Sequence, residues 1–220
     1  MVTSRIKVGR PALLFQSATP DEKKVQVQFA RLCVLYDDLQ LEFAAAAEEK
    51  IQLLDTSGRD NRRFYFVRRT LATLMEIRGA VAVLEKNPAF QTLKATWPTG
   101  AIKQWDASVA FFTANHLFLK NWRNDVGGHF LDASAEFAID NLEPDTVGVI
   151  ELYRRGTGAD VRLKFAYELV AVSLIKQRDA TVHTTEQFLE QAFTFLRDAV
   201  GHAVDVVQIL TNTEFLDKFK

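Results

Sequence analysis

Residues 121–130 read NWRNDVGGHF, and they close a long apolar helical pattern. From residue 105 to residue 119, aromatic and aliphatic side chains recur at three- and four-residue steps, which is the spacing of one face of an α-helix. Gly127-Gly128 ends the pattern, because glycine adopts the left-handed conformation that terminates helices at little steric cost. The sequence therefore predicts that Arg123 lies in the last helical turn and that His129 follows the reversal of the chain.

Arg123 is followed at once by Asn124 and, after a short gap, by His129. An arginine, an adjacent asparagine and a nearby histidine at the end of an apolar helix resemble the motif of the HEPN superfamily. That superfamily comprises helical domains of prokaryotic toxins, defence proteins and some RNA-processing factors, and many members are metal-independent ribonucleases. The resemblance implies that Arg123, Asn124 and His129 are catalytic and that no metal or other cofactor is needed. It also implies a homodimer in which the sites of two subunits face each other.

Two further residues are candidate neighbours of this pocket. His116 lies seven residues before Arg123 and so falls on the same face of the predicted helix. Asp125 follows Asn124 within the motif itself. A helical histidine is more often a packed or surface residue, and that structural interpretation of His116 stays open.

Two other arginine–histidine pairs have nearly the same spacing, and their context separates them from the motif. Arg197 and His202 lie inside a continuous helical pattern, where residues five apart point roughly 140° away from each other. Arg178 and His183 flank a helix end, but they lack the asparagine, the paired glycines and the aromatic residue that accompany Arg123.

RNA cleavage needs the chemistry that these residue types supply. The 2′-hydroxyl of RNA is an internal nucleophile beside each phosphate, so a catalyst has to move protons and stabilise charge on phosphorus. Histidine titrates near neutral pH and can transfer protons, while the planar guanidinium of arginine binds two phosphate oxygens. In this interpretation His129 moves protons, Arg123 stabilises the phosphate and Asn124 holds both in register.

A structural interpretation of the same residues also stays open. A cation such as Arg123 is favourable at the C-terminus of a helix, and His129 would hydrogen-bond a carbonyl that the helix end leaves free. The alternative function is a non-catalytic HEPN-like binding or regulatory module that acts through helix–helix or nucleotide contacts. Convergence of Arg123 and His129 on a pocket open to solvent would separate the two functions.

Four long amphipathic patterns predict an all-α fold, an antiparallel bundle with short additional helices. The long helices are expected near residues 20–54, 60–85, 101–125 and 185–210. Residues 19–22 begin the first of them with a capping box that has proline at the first helical position, and residues 56–58 are predicted to end it. Alternating apolar residues predict a small inserted β-hairpin near residues 147–164. With an N-terminal arm over residues 1–18, the chain from 1 to 220 is expected to be a single domain.

Arginines are concentrated at the start of the second predicted helix, around three aromatic residues at positions 64–66. Cations are unfavourable near a helix N-terminus, so these arginines are candidate contacts for RNA phosphates, with aromatic rings available for stacking. The candidates are Arg62, Arg63, Arg68 and Arg69. Alternatively, antiparallel pairing with the first helix sets Glu48 and Glu49 opposite residues 66–69 and neutralises the arginines.

Composition restricts the remaining functions. A net charge of −1 and a pI near 6.4 indicate no broad basic surface, so no DNA partner is expected. The single cysteine, Cys33, excludes an internal disulfide and a multi-cysteine metal site. No run approaches the ~20 apolar residues that cross a bilayer, and no signal-peptide core is recognisable. The sequence therefore predicts a cytoplasmic protein without membrane contact, and the resemblance implies a toxin–antitoxin or defence role with an antitoxin or regulatory protein as partner.

Overall fold

The computed structural model describes residues 15–47, 56–122, 132–142, 150–155, 158–163, 166, 169, 172 and 185–215. Seven continuous α-helices have both ends in this part of the chain: α1 (Pro20–Ala47), α2 (Thr56–Glu85), α3 (Pro88–Lys94), α4 (Thr99–Ala114), α5 (His116–Trp122), α6 (Asp132–Asn141) and α7 (Thr185–Leu210). Residues 166, 169 and 172 are also helical. A π-helical turn over Thr211–Phe215 follows α7. The prediction of an all-α fold is confirmed.

The predicted capping box begins α1. The backbone N–H of Glu22 donates to Thr19 Oγ1 (3.2 Å), and the carboxylate of Glu22 accepts from the backbone N–H of Thr19 (3.1 Å). A side chain also caps the start of α3. Asn87 Oδ1 accepts from the backbone N–H of Phe90 (3.1 Å), and Pro88 occupies the first turn. Both helices therefore begin where side chains satisfy amides that have no partner within the helix.

Two helix boundaries differ from the prediction. The helix expected over residues 101–125 is interrupted at Asn115, whose carbonyl accepts from the backbone N–H of Leu119 (3.0 Å) as α5 begins. Asparagine is a weak helix former that favours helix ends. Residues 56–58 form the first turn of α2 and do not end α1, because threonine and serine begin helices as readily as they follow them. Residues 48–55, where α1 was expected to continue, lie outside the described part.

The chain divides into two compact units. The first combines Met1–Asp37, Glu76–Ala114 and Gly201–Lys220, and the second combines Asp38–Met75 with Asn115–Val200. The single domain expected from the sequence stays a prediction.

Aromatic rings form the core of the first unit. The Phe90 ring lies 6.3 Å from Phe29, 5.6 Å from Trp97 and 5.1 Å from Trp105, measured between centroids. All four side chains are almost fully buried. Of the predicted N-terminal arm, residues 15–18 are described, and Phe15 makes an edge contact with Phe215 (5.9 Å).

The second unit contains α5, α6 and the hairpin. Strand β1 (Ile150–Arg155) pairs antiparallel with β2 (Gly158–Leu163), with Ile150 opposite Leu163 and Arg155 opposite Gly158. The predicted hairpin is therefore confirmed within its expected range. The ring of Phe118 in α5 lies 4.5 Å from that of Phe195 in α7, at an angle of 63°.

Candidate functional site

In the sequence, the motif residues lie between α5 and α6. Helix α5 ends at Trp122 and α6 begins at Asp132, so the intervening residues 123–131 carry Arg123, Asn124, Asp125 and His129. These four residues lie outside the described part of the chain. What the structure describes is the pair of helices on either side of the motif.

Helix α5 is fixed by its own packing. Leu119 is fully buried, and the neighbouring Phe118 contacts Phe195. His116 is the first residue of α5, and its side chain is half-buried and engaged in an interaction. A packed histidine is the structural interpretation of His116, and its contact with a motif residue stays a prediction.

The four candidate arginines of α2 differ in what they contact. The side chain of Arg62 lies outside the described part, and Arg68 is half-buried with an interaction partner. Arg69 Nε donates to Glu42 Oε1 of α1 (3.1 Å), and Glu42 also accepts through Oε2 from Thr73 Oγ1 (2.7 Å). Glu42 is 8% exposed. Arg69 thus neutralises a buried carboxylate on the facing helix, as the structural interpretation expects, although the predicted partners Glu48 and Glu49 lie outside the described residues.

Arg63 is the exception in this cluster. Its Nε atom is buried and has no hydrogen-bond partner in the described structure. The guanidinium carbon lies 6.0 Å from the centroid of the Phe193 ring of α7, within the distance of a cation–π contact. An aromatic ring thus lies beside the guanidinium of Arg63, whereas Arg69 contacts a carboxylate.

A group of paired charges around the buried Lys94 was not predicted from the sequence. Lys94, 9% exposed, donates through Nζ to Asp106 Oδ1 (2.6 Å) and to Glu85 Oε1 (3.1 Å), and Glu85 also accepts from Trp105 Nε1 (2.7 Å). Burial alone would lower the pKa of Lys94, but hydrogen bonds to Asp106 and Glu85 outweigh it and the pKa is raised. Lys94 stays a cation, so it cannot serve as a neutral base near pH 7.

A shallow cavity of about 350 Å³ lies in the same unit, beside the π-helical turn. Trp97, Gln104, Asn212 and Thr213 contribute to its lining, and none of its lining side chains carries a charge. The indole Nε1 of Trp97 donates to Glu214 Oε1 (2.7 Å) just behind it. Because a phosphate needs cationic or multiple N–H donors, this cavity does not fit an RNA backbone.

The Ser108 hydroxyl and the His202 imidazole lie at the distance expected for a nucleophile and its general base. Ser108 Oγ lies 3.1 Å from His202 Nδ1, and the imidazole stacks on Phe111 with centroids 4.4 Å apart. Ser108 is fully buried and also donates to the carbonyl of Gln104 (3.2 Å). A substrate cannot reach that hydroxyl, so the pair joins α4 to α7 and is not a hydrolytic site.

Neither a metal site nor a membrane-spanning helix is found among the described residues. There, no three histidine, cysteine, aspartate or glutamate side chains are grouped closely enough to hold a metal ion. Within the same part of the chain, no helix has the length and apolar character to span a membrane. Burial, followed by the nearby Asp37 carboxylate, raises the pKa of the Cys33 thiol, so this cysteine is not an activated nucleophile.

Comparisons of the chain with protein-family models, with curated proteins and with solved structures found no match.

Proposed function

We propose that this protein is a HEPN-like ribonuclease that cleaves RNA without a metal ion. The position of the motif in an all-α fold carries the proposal. Helix α5 ends one residue before Arg123, and α6 begins three residues after His129. The motif thus follows directly after an apolar helix of an all-α fold, which is the setting of the motif that it resembles.

The reaction is an internal transfer at phosphorus. The 2′-oxygen attacks the adjacent phosphorus, the bond from phosphorus to the 5′-oxygen breaks, and the products are a 2′,3′-cyclic phosphate and a 5′-hydroxyl. The 2′-hydroxyl loses a proton and the leaving 5′-oxygen gains one, and His129 carries out this proton transfer. Arg123 stabilises the negative charge that develops on the phosphoryl oxygens, and Asn124 holds the phosphate and the imidazole in register.

Arg63 supplies a second contact to the RNA chain. Arg63 is half-buried, and its Nε atom is closed to solvent, so an RNA phosphate would bind the terminal nitrogens of the guanidinium, which is a strong donor for phosphate oxygens. Phe193 and Phe195 are two residues apart on α7 and point to different sides of that helix. Since Arg63 contacts Phe193 and α5 contacts Phe195, we assign Arg63 to a phosphate other than the scissile one.

The test is cleavage of a single-stranded or loop RNA in excess chelator. We expect cleavage that leaves a 2′,3′-cyclic phosphate. The variant His129→Ala should lose ~10²-fold or more in rate, because positioned proton transfer contributes at least that much. The variant Arg123→Ala should lose ~10²–10³-fold, because one donor to developing negative charge is removed.

The matched control is the double variant Arg178→Ala, His183→Ala, which removes a pair with similar spacing and should leave the rate unchanged. Cleavage that persists at full rate in His129→Ala, or that stops in chelator, contradicts the mechanism.

The second candidate function is a non-catalytic module that binds a partner helix or a nucleotide. The observation that favours it is a set of exposed aliphatic side chains on α1, among them Val34 and Leu41. Protein that binds such a partner but cuts no RNA under any of these conditions would replace the first function with the second.

A further inference from the structure

The cavity beside the π-helical turn is lined by two segments of the first unit. Trp97 precedes α4 and Gln104 lies in it, while Asn212 and Thr213 lie in the turn that follows α7. Its volume of about 350 Å³ falls within the roughly 300–1,000 Å³ that ligand pockets occupy. A π-helical turn is rare and is often found at functional sites. The cavity therefore has the size and the backbone setting of a small-molecule site.

The two hydroxyls of the lining can only accept hydrogen bonds from a ligand. Thr213 Oγ1 donates to the carbonyl of Ile209 (2.8 Å), and Thr96 Oγ1 donates to the carbonyl of Leu93 (2.7 Å). A hydroxyl has a single hydrogen, and in both threonines the backbone already receives it. Each oxygen keeps its capacity to accept.

Two side-chain amides complete the polar part of the lining. Gln104 Nε2 donates to Asp205 Oδ1 (2.8 Å), which leaves its carbonyl oxygen and one N–H for a ligand. Asn212 is exposed and adds a second carbonyl oxygen and a second amide nitrogen. The side chains of the lining thus offer four oxygens that accept and two nitrogens that donate.

Apolar atoms form the rest of the lining. Pro98, Ala101 and Ile209 contribute aliphatic surface, and Trp97 contributes its indole. Trp97 Nε1 donates to Glu214 Oε1 (2.7 Å), so this bond holds the indole in place and uses its only hydrogen-bond donor. A ligand therefore meets an apolar wall beside a group of acceptors.

We propose that this cavity binds a small neutral polyol of the size and chemistry of a monosaccharide. Every hydroxyl of such a ligand donates one hydrogen bond and also accepts, so several hydroxyls together satisfy a lining in which acceptor oxygens outnumber donor nitrogens. The C–H groups of the same molecule pack against the apolar wall.

The lining fits three other classes of ligand less well. An anion would meet acceptor oxygens and no cation, because no lining side chain is charged. An organic amine would find no carboxylate in the lining for the same reason. A nucleobase donates only through N–H groups in the plane of its ring, whereas the hydroxyls of a polyol surround the molecule and reach acceptors on both segments.

This site is independent of the proposed RNA cleavage. All of its lining residues belong to the first unit, whereas Arg123 and His129 belong to the second. Loss of polyol binding would leave the proposed cleavage standing, and absence of cleavage would leave the polyol site standing.

Nuclear magnetic resonance of the isotope-labelled full chain tests the binding. The chain has three tryptophans, and Trp97→Phe identifies the indole N–H signal of Trp97 by its disappearance. We expect D-glucose, D-ribose or myo-inositol to shift this signal saturably, with a dissociation constant on the order of 1–10 mM for a ligand of so few atoms. Cytosine and ethylammonium chloride are the contrasting probes. A saturable shift with none of the three polyols, or tighter binding of either contrasting probe, overturns the proposal.

Removing acceptors from the lining tests the assignment of the site. Gln104→Leu and Thr213→Val should each weaken binding of the tightest polyol by about 2–10-fold, the range for one neutral hydrogen bond. Gln104 is exposed, so its substitution leaves the fold intact. The matched control is Thr113→Val, because Thr113 Oγ1 also donates to the carbonyl four residues earlier, that of Val109 (2.8 Å), but lies outside the cavity. Natural affinity in both cavity variants, or an equal loss in Thr113→Val, overturns the proposal.

Discussion

Lys94 in the first unit and Arg63 in the second are both cations with buried atoms, yet their surroundings differ. Lys94 contacts two carboxylates, and one of these, Glu85, also accepts from the indole of Trp105. The Nε of Arg63 has no acceptor among the described residues and lies near an aromatic ring. The first cation has its carboxylate partners within the protein, whereas the buried Nε of the second has no acceptor among the described residues.

The difference indicates which buried charges are structural and which are available for binding. Removing one partner from a satisfied buried pair leaves the other without compensation, which is costly. Removing a cation whose buried donor has no acceptor costs little and can even stabilise, because an unfavourable desolvation disappears. We therefore expect substitutions at Lys94 to change the free energy of unfolding, and substitutions at Arg63 to change binding.

The largest effect is expected for Lys94→Met. This substitution keeps the aliphatic stem but leaves Glu85 and Asp106 without their shared cation. Breaking a buried pair typically costs roughly 3–5 kcal/mol, and because the Asp106 side chain is 56% exposed, solvent screening reduces our expectation to roughly 2–4 kcal/mol. Urea unfolding at neutral pH measures the loss. The control Lys103→Met, at an exposed position of α4, the helix that carries Asp106, should change the free energy of unfolding by less than about 0.5 kcal/mol.

Alkaline titration provides a second measurement of the same pair. The folded pKa of Lys94 is raised, so its contribution is fully present below the unfolded pKa of about 10.4 and is lost as pH rises through the folded value. The difference in stability between the natural protein and Lys94→Met should therefore narrow above about pH 10.4. A difference that stays constant across that range would show that Lys94 acts by packing alone.

A smaller effect is expected for Trp97→Phe. The indole Nε1 donates to the carboxylate of Glu214, and both residues are more than nine-tenths buried. A hydrogen bond to a charged group contributes about 1.5–3 kcal/mol, and phenylalanine retains most of the contact with Phe90. Thermal and urea unfolding should show a loss in that range. Glu214→Gln retains an acceptor oxygen and should lose less, and an equal loss in both variants would contradict the assignment to this bond.

Local signals predicted most of the helical fold. The capping box at Thr19 and Glu22 predicted the start of α1, because the two partners lie within one turn of each other. The break at Asn115 was not predicted, since the apolar periodicity runs through it. Residues 56–58 were predicted to end α1 but begin α2, because their residue types suit both a helix end and a helix start.

The buried charge pairs could not be predicted in the same way. Glu85, Lys94 and Asp106 lie on three different helices, and only the packing of those helices brings their charges together. The sequence predicted that α1 and α2 pair, but it did not predict which residues lie opposite each other. Glu42 was therefore not predicted as the partner of Arg69. Sequence singled out the arginines of α2 as a group, and their contacts in the structure separate Arg63 from Arg69.

The smallest effect on stability, and the most direct test of the difference between the two cations, is expected for Arg63→Met. The natural arginine has a buried donor without an acceptor, so its loss should change the free energy of unfolding by no more than about 0.5 kcal/mol. Binding of a single-stranded RNA should weaken, and the slope of log affinity against log salt should fall by about 0.7, the value for one phosphate contact on a single strand.

The matched control is Arg69→Met. Because its loss leaves the buried carboxylate of Glu42 with Thr73 as its remaining donor, Arg69→Met should cost roughly 1–3 kcal/mol of stability and leave the salt slope unchanged. A salt slope that changes in Arg69→Met and not in Arg63→Met, or a stability loss in Arg63→Met as large as that in Lys94→Met, would remove the distinction between a satisfied and an available cation.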